Sequence, residues 1–154
     1  MREDIEANRG LFSVVSQEPY LFMDSIIGNV DLSGKRSREE IERALVQSGA
    51  AGYIGKFPEG ELTQTGNRGM KLSGGEKQKL AVARALVKDA PVVLLDEASS
   101  GYDVESDKYL HHIITHEMEG KTVLMITHHY HQLEGFDRIF YLKDGKLREQ
   151  EQEK

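Results

Sequence analysis

No cysteine occurs among the 154 residues, so disulfides, cysteine-ligated zinc and thiol chemistry are excluded, and thiol content gives no reading of redox compartment. Long apolar runs are missing as well. The longest unbroken aliphatic stretch is Val92-Val93-Leu94-Leu95, far below the roughly 20 residues that a membrane-spanning helix requires. The opening residues, Met1-Arg2-Glu3-Asp4, have no apolar run behind them and do not read as a secretory signal. Positive charge is not in excess: 20 Lys+Arg stand against 26 Asp+Glu, for a formal charge of −6, which argues against a broad nucleic-acid footprint. No internal repeat and no low-complexity segment is evident. What is there, 38% hydrophobic and 30% charged residues, is the composition of a soluble globular domain long enough to bury a core without staples.

Hydrophobic patterning predicts alternating strands and helices. Residues 11–17 are β-rich and stop at Glu18-Pro19, which cannot continue a ladder. The stretch 28–34 reads as irregular. Ser37-Arg38-Glu39-Glu40 is a capping box, and Ile41, Ala44, Leu45 and Ser48 follow it at helical spacing, with Gly49 as a C-terminal stop. Residues 50–71 read as loop with one helical turn near residues 53–57. Ser73 and Glu76 have capping-box spacing again, opening a helix through Leu80, Ala83 and Val87 to about Lys88. Pro91 then precedes Val92 to Leu95, four apolar residues of the kind found in a strand buried on both faces. Asp103 is placed to cap a helix with the stripe Leu110, Ile113, Ile114 and Met118, closed by Gly120. Residues 122–126 form a second such buried strand, and Asp144-Gly145 marks the turn of a final hairpin. Strands apolar throughout and alternating with helices indicate an α/β fold with a parallel sheet.

Three polar features follow the ends of predicted strands: Gln17, the pair Asp96-Glu97, and His128. In open parallel sheets that edge is where ligands bind. A carboxylate pair after four aliphatic residues suits a cation such as Mg²⁺ shared with phosphate oxygens, and a second carboxylate there could activate water. Read alone, the dipeptide fits a solvated strand end equally well, and His128 with His129 and His131 fits a set of surface histidines. Ser73-Gly74-Gly75 at a helix start fits an anion site made of free amides, and it also fits a simple N-cap.

The ordered set is more specific than its parts. Leu72-Ser73-Gly74-Gly75-Glu76, the run from Lys77 to Leu86, Val92 to Glu97, Asp103 and Ile126-Thr127-His128 together closely resemble the nucleotide-binding domain of ATP-binding-cassette (ABC) proteins. The resemblance spans about residues 11–145. It implies a P-loop NTPase-like (RecA-like) parallel sheet with an inserted α-helical subdomain. Residues of about 1–22 and 90–148 would belong to the RecA-like core, and about 23–89 to the helical subdomain and signature helix. It further implies ATP and Mg²⁺ as ligands, Glu97 and His128 as catalytic residues, and Asp96 with Gln17 at the metal. Ser73, Gly74, Gly75, Glu76 and Asp103 would contact nucleotide. Ser16 to Phe22 and Ser25 to Val30 resemble the Q-loop region of exporters, although Asn67 stands where exporters tend to carry an acidic residue. The partners implied are a second nucleotide-binding domain and a transmembrane domain, which would place the chain in the cytoplasm beside a membrane; no nucleic acid is expected.

The pattern Gly-x-x-x-x-Gly-Lys-Ser/Thr is absent. In the family it lies upstream of the Q-loop, so the chain is expected to be the later portion of such a domain, unable alone to hold ATP in the usual way. Its sheet is expected to have an open flank, and the chain to associate with itself or with a missing fragment. Two other readings stand beside an exporter ATPase: a non-hydrolytic regulatory subunit completing a partner's site, and a cassette ATPase of DNA repair or translation. The first is disfavoured by an intact Glu97 and His128. The second is disfavoured by the acidic charge and by the short interval between Gln17 and Leu72.

Overall fold

The computed structural model describes residues 8–98, 104–129 and 133–150. Strands β1 (Phe12–Val15), β2 (Val92–Asp96) and β3 (Thr122–Ile126) form a parallel sheet in the order β1-β2-β3. Val15 pairs with Leu95 and Leu95 with Met125, so the C-terminal ends of all three lie level. Parallel neighbours need crossovers, and helices supply them. Between β1 and β2 come α1 (Ile26–Val30), α2 (Arg38–Gln47), α3 (Ala51–Ile54) and α4 (Gly74–Lys88). Between β2 and β3 comes α5 (Val104–His112), which continues into a π-helical turn at Ile113–Glu117. An antiparallel hairpin, β4 (Phe140–Lys143) and β5 (Lys146–Glu149), follows.

Both predicted capping boxes are present: Ser37 with Glu40 opens α2, and Ser73 with Glu76 opens α4. Each satisfies two amides that a helix start would otherwise leave free. Asp103, the expected cap of α5, lies outside the described residues.

Two apolar cores result. Leu21, Ile26, Val30, Ile41, Leu45, Tyr53, Leu72 and Leu80 form one among the helices. Val15, Val82, Val93, Leu95, Leu110, Ile113 and Met118 form the other under the sheet. Leu86 of α4 packs against both, which makes α4 the shared rod of the molecule.

The structure corrects three expectations. Residues 28–30, read as the start of an irregular stretch, belong to the helix Ile26–Val30, because Ser25 caps the amide of Gly28 and Asn29 bonds back to the Ser25 carbonyl. The helix after β2 ends in a π turn rather than continuing as α. The strands read as buried on both faces are covered on only one: Val93 and Leu95 are buried, whereas Leu124 and Ile126 are each 57% exposed. Nothing among the described residues covers that second face, which Phe12 and Val14 share.

Candidate active site

The level ends of the three strands deliver three side chains to one place. Gln17 follows β1, Glu97 follows β2 and His128 follows β3, and Glu97 joins the other two. Its Oε2 accepts a hydrogen bond from Gln17 Nε2 at 3.0 Å, and its Oε1 lies 3.4 Å from His128 Nδ1. The Glu97 backbone has φ 46°, a left-handed value uncommon outside glycine. That conformation is held by the Glu97 N–H, which donates to the Ile126 carbonyl at 2.9 Å and so extends the β2–β3 pairing by one bond. The turn aims the carboxylate across the strand ends toward Gln17 and His128. A carboxylate fixed between an amide donor and an imidazole is suited to taking a proton from a bound water.

Asp96, the last residue of β2, is exposed beside this group. Asp96 and the Gln17 amide oxygen are hard oxygen donors, whereas Glu97 is already engaged by its two neighbours. Among the described residues no cluster of three or more His, Asp or Glu forms a closed cation cage. That donor set fits Mg²⁺, which is usually held by one or two carboxylates with phosphate oxygens and water completing its shell.

Ser73, Gly74, Gly75 and Glu76 sit elsewhere, at the start of α4. Ser73 N–H donates to Glu76 Oε2 at 2.8 Å, and Glu76 N–H donates to Ser73 Oγ at 3.3 Å. The Glu76 carbonyl accepts from the Tyr53 hydroxyl at 3.0 Å. Among the described residues no hydrogen bond or ion pair joins this end to Gln17, Glu97 or His128. The sequence-predicted residues thus fall into two groups, a strand-end triad and a helix-start cap. Asp103 lies outside the described residues.

Three polar residues that sequence reasoning did not single out, Gln78 and Asn29 buried and Arg84 half-buried, hold the loop that leaves β1. Gln78 of α4 donates through Nε2 to the carbonyls of Gln17, at 2.6 Å, and Ser16, at 3.2 Å. Arg84 of α4 donates to the Tyr20 carbonyl at 3.0 Å and to the Asn29 carbonyl at 2.7 Å. Asn29 binds the Phe22 backbone in both directions. A signal was available for Gln78, a polar residue that opens the apolar stripe continued by Val82 and Ala85.

Comparison with known proteins gives a consistent picture. The family model described as ABC transporter matches residues 1–100. The chain is 40% identical over 147 residues to an ATP-dependent lipid A-core flippase of Burkholderia orbicola, covering 96% of this chain and 25% of that protein. It is 38% identical over 149 residues to multidrug resistance protein homolog 65 of Drosophila melanogaster, covering 96% of this chain and 11% of that protein. Among solved structures it superposes on a bacterial Atm1-family ABC exporter with ATP bound, with a TM-score of 0.85 and 34% identity, over 92% of this chain and 25% of that one. The chain spans about a quarter or less of the length of these relatives. The superposition identifies its α/β architecture as a P-loop NTPase fold of the exporter type.

Proposed function

The chain belongs to the ABC transporter family, and from that premise we propose that it is a segment of an exporter-type ATPase subunit, one that couples ATP binding and hydrolysis to transport through a transmembrane partner. The observation that carries this reading is the convergence of Gln17 and His128 on the Glu97 carboxylate. Glu97 acts as general base toward the attacking water, and His128 contacts the transferring phosphoryl group. Asp96 and Gln17 hold Mg²⁺, which when bound neutralises charge on the phosphate oxygens. At the start of α4, Ser73, Gly74, Gly75 and Glu76 present a helix N-terminus to the nucleotide of a second nucleotide-binding domain, and Asp103 contacts the same nucleotide. The phosphate cradle comes from another segment or chain, since the pattern for it does not occur in these residues. The subunit works at the cytoplasmic side of its membrane partner.

Hydrolysis measurements test this division of labour. The isolated chain is expected to hydrolyse ATP at background rate. When a P-loop-bearing polypeptide completes the site, hydrolysis appears, and Glu97→Gln lowers it by about 10²–10⁴-fold, the usual contribution of a general base. Glu97-dependent hydrolysis by the chain alone would overturn the assignment of the phosphate cradle. A completed site indifferent to Glu97→Gln would overturn the role given to that carboxylate.

A further inference from the structure

Gln78 is buried to 1% exposure on α4, six positions before Arg84, and both side chains grip the loop that leaves β1. The two atoms nearest its amide are carbonyl oxygens, so the nitrogen must face them and Oε1 points away. That oxygen is buried and has no hydrogen-bond partner. Leaving an acceptor unpaired in the interior costs about 1–3 kcal/mol. A core-filling Leu or Met would avoid that cost. What offsets that cost is what its nitrogen holds, the backbone carbonyls of Gln17 and Ser16.

From this geometry we infer that Gln78 is a positioning residue: it fixes the Gln17 backbone to α4, and so sets the Gln17 side chain against Glu97 according to where α4 lies. Gln78 touches neither Glu97 nor any reacting atom and acts only through Gln17. Ser73 lies five residues earlier on the same rod, within about 8 Å at 1.5 Å per residue. A shift of α4 at its Ser73 end therefore moves the Gln17 carbonyl with it, and with it the Gln17–Glu97 hydrogen bond. The unpaired Oε1 fits the same role, because an amide with a free acceptor can bind a loop N–H in a second arrangement at no further desolvation cost. The significance of the link rests on the proposed function, whereas its existence does not.

Two measurements test it. Hydrogen exchange on the full chain, comparing wild type with Gln78→Met, reads the link directly. Exchange of residues 15–20 is expected to rise about tenfold, the effect of losing one to two net hydrogen bonds, while the protection of β2 stays within about twofold. Unchanged exchange in 15–20 overturns the inference, and so does an equal loss in β2, since Gln78 would then be a general core residue. The second readout is the Mg²⁺ dependence of ATP hydrolysis at a completed site. Gln78→Met should raise the Mg²⁺ needed for half-maximal rate in the same direction as Gln17→Ala, whereas Gln78→Glu, which sets a carboxylate against two carbonyls, should do so more strongly. A wild-type Mg²⁺ dependence in Gln78→Met overturns the inference. If wild type shows no Glu97-dependent hydrolysis, the functional reading fails, and the exchange measurement still decides whether Gln78 positions the loop.

Discussion

At the scale of single residues, polar groups hold the loop after β1 alongside its one core side chain, Leu21. Asn29 is fully buried, its Oδ1 accepts the Phe22 N–H at 2.7 Å, and its Nδ2 donates to the Phe22 and Ser25 carbonyls, each at 3.0 Å. Arg84 closes the same knot and lies 5.9 Å from the centre of the Phe22 ring. Burial pushes its guanidinium below the ordinary arginine value, yet an arginine stays cationic at any physiological pH, and its charge here is spread over carbonyls and a ring face. Asn29→Ala leaves the part-buried Phe22 N–H without its acceptor and removes one acceptor from Arg84, so it should destabilise the chain by about 1–3 kcal/mol in urea unfolding. Gly69 makes a second test. It has φ 67°, and a Cβ added there would lie 2.7 Å from Leu21 Cδ1. Gly69→Ala should cost about 1–3 kcal/mol through left-handed strain and overpacking against a buried side chain. A measured change below about 0.5 kcal/mol, the level of ordinary surface substitutions, would show that this contact relaxes freely.

At the scale of elements, what was legible followed from signals that repeat along the chain. The parallel strands announce themselves through runs such as Val92 to Leu95, and α2 and α4 through a cap followed by a 3.6-residue stripe. The ends of those strands put Gln17, Glu97 and His128 at one edge by topology alone, which is why the candidate triad was readable. The short α1 was not, since five residues around a central Gly28 carry no periodicity and the helix depends on the Asn29 contacts. Nor was the π turn after α5, because the two helical periods barely diverge over five residues. Gln78 and Arg84 escaped for a different reason: a stripe tells which face is buried but not which distant carbonyl it meets. The α2 cap yields a prediction with a definite sign. The Glu40 carboxyl is held below the ordinary value of 4.5, first by the Ser37 backbone N–H and then by Arg36. A carboxyl lowered by folding contributes stability in full above its unfolded value and loses it as pH falls through the folded one. The stability difference between wild type and Glu40→Gln should therefore be constant at neutral pH and vanish on acidification below 4.5. Ser37→Ala, which removes the other half of the box, should cost about 0.5–2 kcal/mol at neutral pH, and denaturant unfolding at several pH values measures both.

At the scale of the whole molecule, the sheet is the part that exposes most apolar surface. Parallel sheets are ordinarily covered on both faces, and the described residues cover this one on one face. Its other face presents Phe12, Val14, Leu124 and Ile126 to solvent, with Val14 60% exposed. In the order β1-β2-β3 the outer side of β3 has no partner strand among the described residues, so no ladder pairs that border. A contiguous apolar face next to an unpaired edge is the combination that drives strand association. The chain at high concentration should therefore scatter light as species larger than a monomer, with a mean mass that rises with concentration. Leu124→Lys and Ile126→Glu put charge on this face at positions already more than half exposed, so they should lower association while leaving unfolding stability within about 0.5 kcal/mol. If the wild-type chain is a clean monomer across the concentration range, the exposed face is not adhesive. If it associates but the double variant associates equally, the contact lies elsewhere, and the exposed hairpin residues Leu142 and Leu147 become the surface to change. A polypeptide that carries the P-loop pattern and docks on this face would compete with self-association, so adding it should dissolve the larger species in step with the gain of ATP hydrolysis. Recovery of hydrolysis with no loss of the larger species would separate the two surfaces.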